Sequence, residues 1–351
     1  MPISTKPGFI YFLRETDLLT GEVSPYVKIG KTDHDRPVAK RIDDHQTGNP
    51  REIHDCRSFQ VPAIDTVEKH LHHFFAEYGI LGEWFYFDEA TLATAIKEAE
   101  DISSKLENCK NALLMSEENG KIESREKKIE ATSSLMELHQ EAIRAVSCFE
   151  TAKARLDLLK FKLLSKMGEK KGINGVVRII PTTVKDKIDE EHLKIDCPEV
   201  FSLFLEEKPT RTTRFTLKNK PSLKSIDPDL VNEIEKLKAE THKTDLNETV
   251  LERTPRVEEL HLEYLKSMQA SSRAEIEKDL LQIRLKAACG NAAEITGICT
   301  WPRKQVTRQK FNDSKFKAEH PELATKYTIP GGPGQPRISI IEMRPYRGEI
   351  Q

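Results

Sequence analysis

The sequence predicts an α+β chain: a small sheet-and-helix domain over residues 1–97, a helical connector over 98–150, and two copies of one α+β module over 151–220 and 250–351, joined by a linker over 221–249. Three observations carry that reading. Short β-prone runs alternate with amphipathic helix patterns over residues 8–87. From Ala90 to Met167 the chain turns rich in Glu and Lys with helical apolar spacing, broken visibly only around Asn119-Gly120. Finally, Leu159-Lys160-Phe161-Lys162-Leu163, Gly168, Ile173 and Gly175 recur 122 residues later as Leu281-Gln282-Ile283-Arg284-Leu285, Gly290, Ile295 and Gly297.

Taken in order, Gly8 to Leu13 and Tyr26 to Lys31 are β-prone runs joined by a polar stretch that turns at Thr20-Gly21-Glu22, which predicts a hairpin with a long loop. Asp35 before Arg36-Pro37 supplies an N-cap and a first-turn proline, so a helix runs to about Gln46 and stops at Thr47-Gly48-Asn49-Pro50. Cys56 to Val61 reads as a third strand. A second helix starts near Pro62, with Val67, Leu71, Phe74, Phe75 and Tyr78 on one apolar face, and ends at Gly79. Gly82 to Phe87 is a further aromatic β-prone run. Leu135, Leu138, Ile143, Val146, Leu156, Leu159 and Leu163 then space as packed helices or a coiled-coil arm. One residue later in shift, Lys187-Ile188, Leu193-Lys194 and Pro198-Glu199-Val200 match Lys310-Phe311, Phe316-Lys317 and Pro321-Glu322-Leu323. Each copy finishes with a basic strand, Thr212 to Lys218 in one and Pro336 to Ile341 in the other.

With 351 residues, 37% hydrophobic and 32% charged, and a mean hydropathy of -0.56, the chain is long enough for several cores and too polar for a membrane protein. No charged start precedes an apolar stretch, so export is not expected and a cytoplasmic, nucleoid-associated location is. Six cysteines without a Cys-x-x-Cys pair suggest neither a disulfide framework nor a cysteine zinc site. The net charge of -2 hides an uneven distribution. Residues 284–347 hold twelve Lys and Arg against five acids, and residues 152–220 hold sixteen against ten. Such asymmetry points to a polyanionic partner for the C-terminal half.

The N-terminal domain holds the parts that phosphodiester hydrolysis needs: positive charge for the pentavalent phosphate, a group to activate water, and an acidic oxygen for a divalent metal. Tyr11 lies in the first strand and Lys28 in its hairpin partner. Arg41 and His45 stand four apart on the first helix and project from one face, as do Glu68 and His72 on the second. His70, His72 and His73 after Glu68 invite a zinc reading, but no further ligand stands at a convincing spacing.

The order and spacing of these residues resemble the GIY-YIG nuclease superfamily over residues 8–87. Gly8-Phe9-Ile10-Tyr11 is similar to its GIY strand, and Val27-Lys28-Ile29-Gly30-Lys31-Thr32 to the second strand of its phage and mobile-element branch, with Lys-Ile-Gly in place of Tyr-Ile-Gly. Arg41 with His45 fits the Arg-x-x-x-His helix, Glu68 the metal-binding glutamate, and Thr47 to Pro50 and Gly82-Glu83-Trp84-Phe85 also resemble that branch. The resemblance implies a three-stranded antiparallel sheet with flanking helices and one Mg²⁺ (or Mn²⁺) held by Glu68. It also implies that Tyr11 activates or orients water, with His45 as proton relay and Arg41 on the phosphate. Whether Tyr11 or His45 is the base stays open, as does the role of Lys28: contact with phosphate, or a charge acting on Tyr11. Arg36 rivals Arg41, but only Arg41 has a histidine one turn later.

The repeats resemble accessory modules of phage nucleases and hold no catalytic set, so their expected role is to bind duplex DNA through Arg178, Arg214, Arg303, Lys304, Arg308, Lys310 and Arg337. The resulting expectation is a metal-dependent, site-specific endonuclease of a phage or other mobile element, monomeric in preference to dimeric, that nicks one strand. The alternatives are a catalytically silent DNA-bound regulator on a nuclease fold and a helical assembly protein.

Overall fold

The structure is a computed structural model that describes residues 3, 5–125, 128–241, 247–332, 334 and 337–344. The α+β class holds. In the N-terminal domain β1 (Gly8–Thr16) and β2 (Val23–Asp33) form the hairpin, followed by α1 (Val38–Gln46), β3 (Glu52–Val61), α2 (Ile64–Phe74), β4 (Gly79–Leu81) and β5 (Trp84–Tyr86). The sheet is antiparallel with order β3-β1-β2-β5-β4, so it has five strands where the resemblance implied three. The two extra strands are three residues each and extend the sheet at β2 through pairs such as Lys28 with Trp84. α1 starts at Val38 with Pro37 in the cap position and no side-chain cap, so Asp35 does not cap it as expected.

Period-two alternation gives this sheet two buried faces. Ile10, Phe12, Val27 and Ile29 pack on one side against Val67 and Leu71 of α2. Tyr11 and Leu13 point to the other, where Val38 and Ile42 of α1 cover them.

α3 (Glu89–Asn108) and α4 (Lys110–Lys121) come next, and then α5 (Ser133–Met167), which runs unbroken across residue 150, where the sequence suggested a boundary. The first copy continues with β6 (Lys170–Ile173), β7 (Val177–Ile180), β8 (Lys187–Ile188), α6 (Glu190–Asp196), α7 (Pro198–Leu203), β9 (Leu205–Thr213) and β10 (Thr216–Leu217). The expected linker is largely structured. It forms α8 (Leu223–Ile226), α9 (Pro228–Thr241) and the start of β11 (Asn247–Leu251), while residues 242–246 lie outside the described ones. The second copy comprises α10 (Pro255–Cys289), β12 (Glu294–Ile295), β13 (Cys299–Thr300), β14 (Arg303–Phe311), α11 (Asp313–Glu319), α12 (Pro321–Tyr327), β15 (Thr328–Ile329) and β16 (Arg337–Ile340).

The two copies are not separate modules. They exchange strands about a pseudo-two-fold axis. β16 of the second copy pairs with β7 of the first, and β10 of the first pairs with β13 of the second. The registers correspond residue for residue: Ile340 opposite Val177 in one sheet, Leu217 opposite Cys299 in the other. His139 donates from Nε2 to the Lys218 carbonyl at 3.0 Å, and His261 does the same to Ile341 at 2.6 Å. Both long helices end at a glycine with positive φ, Gly168 and Gly290, and both start at a threonine, Thr132 and Thr254, whose side chain accepts a backbone N–H of the first turn. The equivalence therefore extends well before Leu159.

Between the copies lies a shared core in which Ile188, Leu193, Phe201 and Phe204 of the first meet Phe311, Phe316, Ala324 and Tyr327 of the second. Above it β9 and β14 form a two-stranded antiparallel ribbon of nine residues per strand. Its symmetry mate is reduced to two pairs between β8 and β15, although Val184 N–H still donates to Gly332 O and Gly334 N–H to Thr182 O in the equivalent register. Pro181 and Pro330 bring no N–H to this segment, as Pro209 brings none to β9.

Phe316 is fully buried in the shared core. Phe316→Ala should lower the unfolding free energy by about 3–5 kcal/mol in urea denaturation; a loss below about 1 kcal/mol would contradict a core closed by both copies.

Candidate active site

The site forms on the α1 side of the sheet, over β1 and β2. Tyr11 stands opposite Gly30, and the outer end of its ring lies over that glycine: a Cβ there would sit 2.5 Å from the ring carbon and from the hydroxyl oxygen. Gly30 is thus required by close approach rather than by backbone conformation. Lys28 lies on the same face two residues earlier and forms an ion pair with Glu83 from the loop between β4 and β5. From above, α1 brings Arg41 and His45. Arg41 and Arg36 both bind Asp44, Arg41 at 3.2 Å, but only Arg41 also lies beside the Tyr11 phenol. α2 contributes Glu68, whose side chain is 14% exposed and pairs with Lys31 at 2.7 Å; Lys31 also holds Asp65 at 2.6 Å.

Tyr11, Lys28, Arg41, His45 and Glu68 therefore lie around one place, and Glu83, Lys31 and Asp44 complete the charge pattern. Sequence reasoning did not single out these last three. Glu83 was visible within Gly82-Glu83-Trp84-Phe85, whereas Lys31 and Asp44 carry no local signal distinguishing them from solvated charges.

Burial raises the Tyr11 hydroxyl above its ordinary range, and the carboxylates of Glu83 and Glu68 add to this while the Arg41 guanidinium opposes it. Tyr11 is thus a neutral phenol at pH 7. Burial lowers the His45 imidazole, helped by the charges of Lys28 and Arg41. His45 is thus neutral at pH 7 and able to accept a proton. Burial alone would raise the Glu83 carboxyl, but Lys28 more than offsets it. The hydroxyl of Tyr11, Nε of Arg41 and Nε2 of His45 are buried with no hydrogen-bond partner of adequate geometry among the described residues. Buried polar atoms are ordinarily satisfied, so these three are exceptions that fall in one place.

Beside Glu68 a cavity of about 310 Å³ is lined by Lys69, His72, His73, Gly82, Glu342 and Met343. His72 donates from Nε2 to the Ile29 carbonyl at 3.0 Å. His73 faces Glu342 at 3.7 Å, and burial with the nearby Lys69 lowers its imidazole to about 4. His70 is buried on another face, between Glu98 at 2.9 Å and Ser272 of α10 at 2.8 Å. The three histidines therefore diverge, and among the described residues no three metal-ligating side chains cluster, which does not support the zinc reading. Two carboxylates, Glu68 and Glu342, line this cavity, and the Glu68 carboxylate is engaged by the Lys31 ammonium at 2.7 Å.

Of the expected DNA contacts, Arg178, Arg214, Lys304, Arg308, Lys310 and Arg337 are exposed, and Arg178 and Arg337 share a face of the β7–β16 pair. Arg303 is the exception. It is 1% exposed, donates to the Gly290 and Ala292 carbonyls at 2.8 and 3.1 Å, and lies over Trp301, so it holds the base of β14 and is not available to a ligand. Arg347, counted in the basic surplus, lies outside the described residues.

Residues 8–100 match the family model of the T5orf172 domain, which is found in phage and mobile-element nuclease-like proteins. No curated protein and no solved structure matches the chain. No helix among the described residues is long and apolar enough to cross a membrane.

By NMR titration His45 should titrate below 6.5. In Lys28→Met it should move upward, because a cation that disfavours the imidazolium is gone; an unchanged or lower value would remove Lys28 from the electrostatics of the site.

Proposed function

We propose that the N-terminal domain is a metal-dependent DNA endonuclease of GIY-YIG type and that the C-terminal pair of repeats selects where it cuts. The observation that supports this most is the set of buried polar atoms without partners, on Tyr11, Arg41 and His45, beside the Glu68 carboxylate. A phosphodiester offers what each lacks: an anionic oxygen for the guanidinium and a water for the phenol and imidazole to hold.

In this reading Arg41 neutralises charge on the phosphate, with Asp44 fixing its orientation. Tyr11, neutral and lying over Gly30, orients the water, and His45 Nε2 takes its proton as the water oxygen bonds to phosphorus and the bond from phosphorus to the leaving oxygen breaks. Glu68 would hold Mg²⁺ or Mn²⁺, which supplies further positive charge to the phosphate oxygens. Lys28, paired with Glu83, acts by its charge on His45 and needs no direct contact. One such site per chain hydrolyses one strand per encounter, so a monomer converts supercoiled plasmid to open circle before linear product accumulates.

Glu68→Gln should abolish magnesium-dependent nicking of supercoiled plasmid, and Arg41→Ala should slow it by about 10²–10³-fold. Sequenced ends should recur at one site. Cleavage by Glu68→Gln at the wild-type rate would overturn the assignment of the metal ligand. Because His45 must be neutral to accept a proton and its pKa is lowered below 6.5, the single-turnover rate should rise with pH through an apparent pKa below that value. A rate that falls over the same interval would exclude His45 as the base.

A further inference from the structure

Resting on the reading of the chain as a DNA endonuclease, we propose that the β9–β14 ribbon is the element that enters the major groove of duplex DNA, with Lys208, Lys304, Arg308 and Lys310 as its contacts. Three features of the ribbon support this.

The first is shape. The ribbon is a sheet of two strands only, so both edges are open, and residues 304 to 310 are exposed on both faces. Nine residues per strand span about 30 Å, and a two-stranded ribbon fits the major groove, about 12 Å wide. The second is charge. Directly opposed residues share a face, which places Lys304, Val306, Arg308 and Lys310 with Thr210, Lys208 and Glu206. Four cations there face one carboxylate, Glu206, which is shared between Lys208 at 3.7 Å and the Asn312 amide. Arg308 stands directly opposite Lys208, a like-charge pair that costs the ribbon stability, and among the described residues no carboxylate lies within ion-pair distance of Arg308. An external polyanion removes that cost.

The third is rigidity. One end is anchored by buried Arg303, by Trp301 Nε1 donating to Thr213 Oγ1 at 2.8 Å, and by Gln305 N–H donating to Glu123 at 2.6 Å. The other end enters the shared core at Leu205 and Phe311. A ribbon held at both ends is ordered before it binds and loses little entropy on docking. The opposite face carries Gln305, Thr307, Gln309 and Arg211 with one acid, Glu207, and its amides and hydroxyl suit base edges.

The test uses the full chain carrying Glu68→Gln, in EDTA, so that binding is read without cleavage. Fluorescence anisotropy on duplex DNA compares this protein with Lys208→Gln/Arg308→Gln/Lys310→Gln, with Arg308→Gln alone, and with Lys97→Gln/Lys105→Gln/Lys110→Gln, an equal loss of charge on α3 and α4. The ribbon triple variant should bind at least about 10-fold more weakly at 0.15 M salt, and the slope of log K against log salt should fall by roughly 2 to 3. The α3–α4 variant should be within about 2-fold of its parent. Removing the Arg308–Lys208 repulsion should leave the melting temperature equal or higher, which separates lost contact from lost fold; should the triple variant melt lower, Arg308→Gln alone carries the comparison. Methylation of guanine N7, in the major groove, should block binding. Unchanged affinity of the ribbon variants, or block only by minor-groove methylation, would overturn the ribbon's role and leave the endonuclease reading standing; the cations would then serve only to keep an open strand edge soluble. Failure of the parent to bind any duplex would overturn both.

Discussion

Helix α10 belongs to three cores at once, and the arrangement of the whole chain depends on it. Ile276 and Ile283 on this helix pack into the core of the N-terminal domain with Leu106 and Leu113, while Leu260, Tyr264 and Met268 close the core around β6 and β7 and Leu285 and Cys289 close the one around β12 and β13. The seam is also polar. Arg273 of α10 donates to both oxygens of Glu98 in α3, and His70 of α2 meets the same carboxylate. Burial alone would raise Glu98, yet these two partners bring it down to about 2. The interaction is thus present above the ordinary carboxylate range near 4.5 and is lost as pH falls from there toward 2. Because His70 lies two residues from Glu68 on α2, the repeats are joined to the very helix that carries the acidic residue of the site.

Within the site, charge is distributed so that each ion has a neighbour while Tyr11 and His45 stay neutral. Lys28 is matched by Glu83, Arg41 by Asp44, and Lys31 by Glu68 and Asp65. Tyr11 and His45 are then pushed in opposite directions by burial, toward the protonated phenol and the unprotonated imidazole. That is the pair of states a hydrogen-bond donor and a proton acceptor need, and it arises where one short helix meets the sheet.

The parts of the fold that were legible in the sequence are those encoded by local pattern. Alternation gave the hairpin of β1 and β2, helical spacing gave α2, and the residues around Tyr11, Arg41 and Glu68 stand on the elements where the pattern put them. What was not legible depends on contacts between distant residues. The exchange of β10 and β16 is carried by strands of two and four residues, too short for any periodicity. Counting charge placed Arg303 among the DNA contacts, because a count cannot distinguish an arginine under Trp301 from Lys304 one residue later. The residues between the copies read as a linker because their polar composition masks α9, which packs on α5 with one buried leucine, Leu230.

Exchanged strands also fix a stoichiometry. Were each repeat a separate polypeptide, the same assembly would be a homodimer, obliged to carry two identical ribbons and, if each subunit kept its own N-terminal domain, two of those as well. Joined in one chain, the halves are free to differ. One ribbon keeps nine residues per strand while its mate is reduced to two pairs, and a single sheet domain is seated on one side of an otherwise two-fold body. The molecule therefore has a direction: a symmetric partner approaching it would meet one face that differs from its mate, and could be engaged in only one of two orientations.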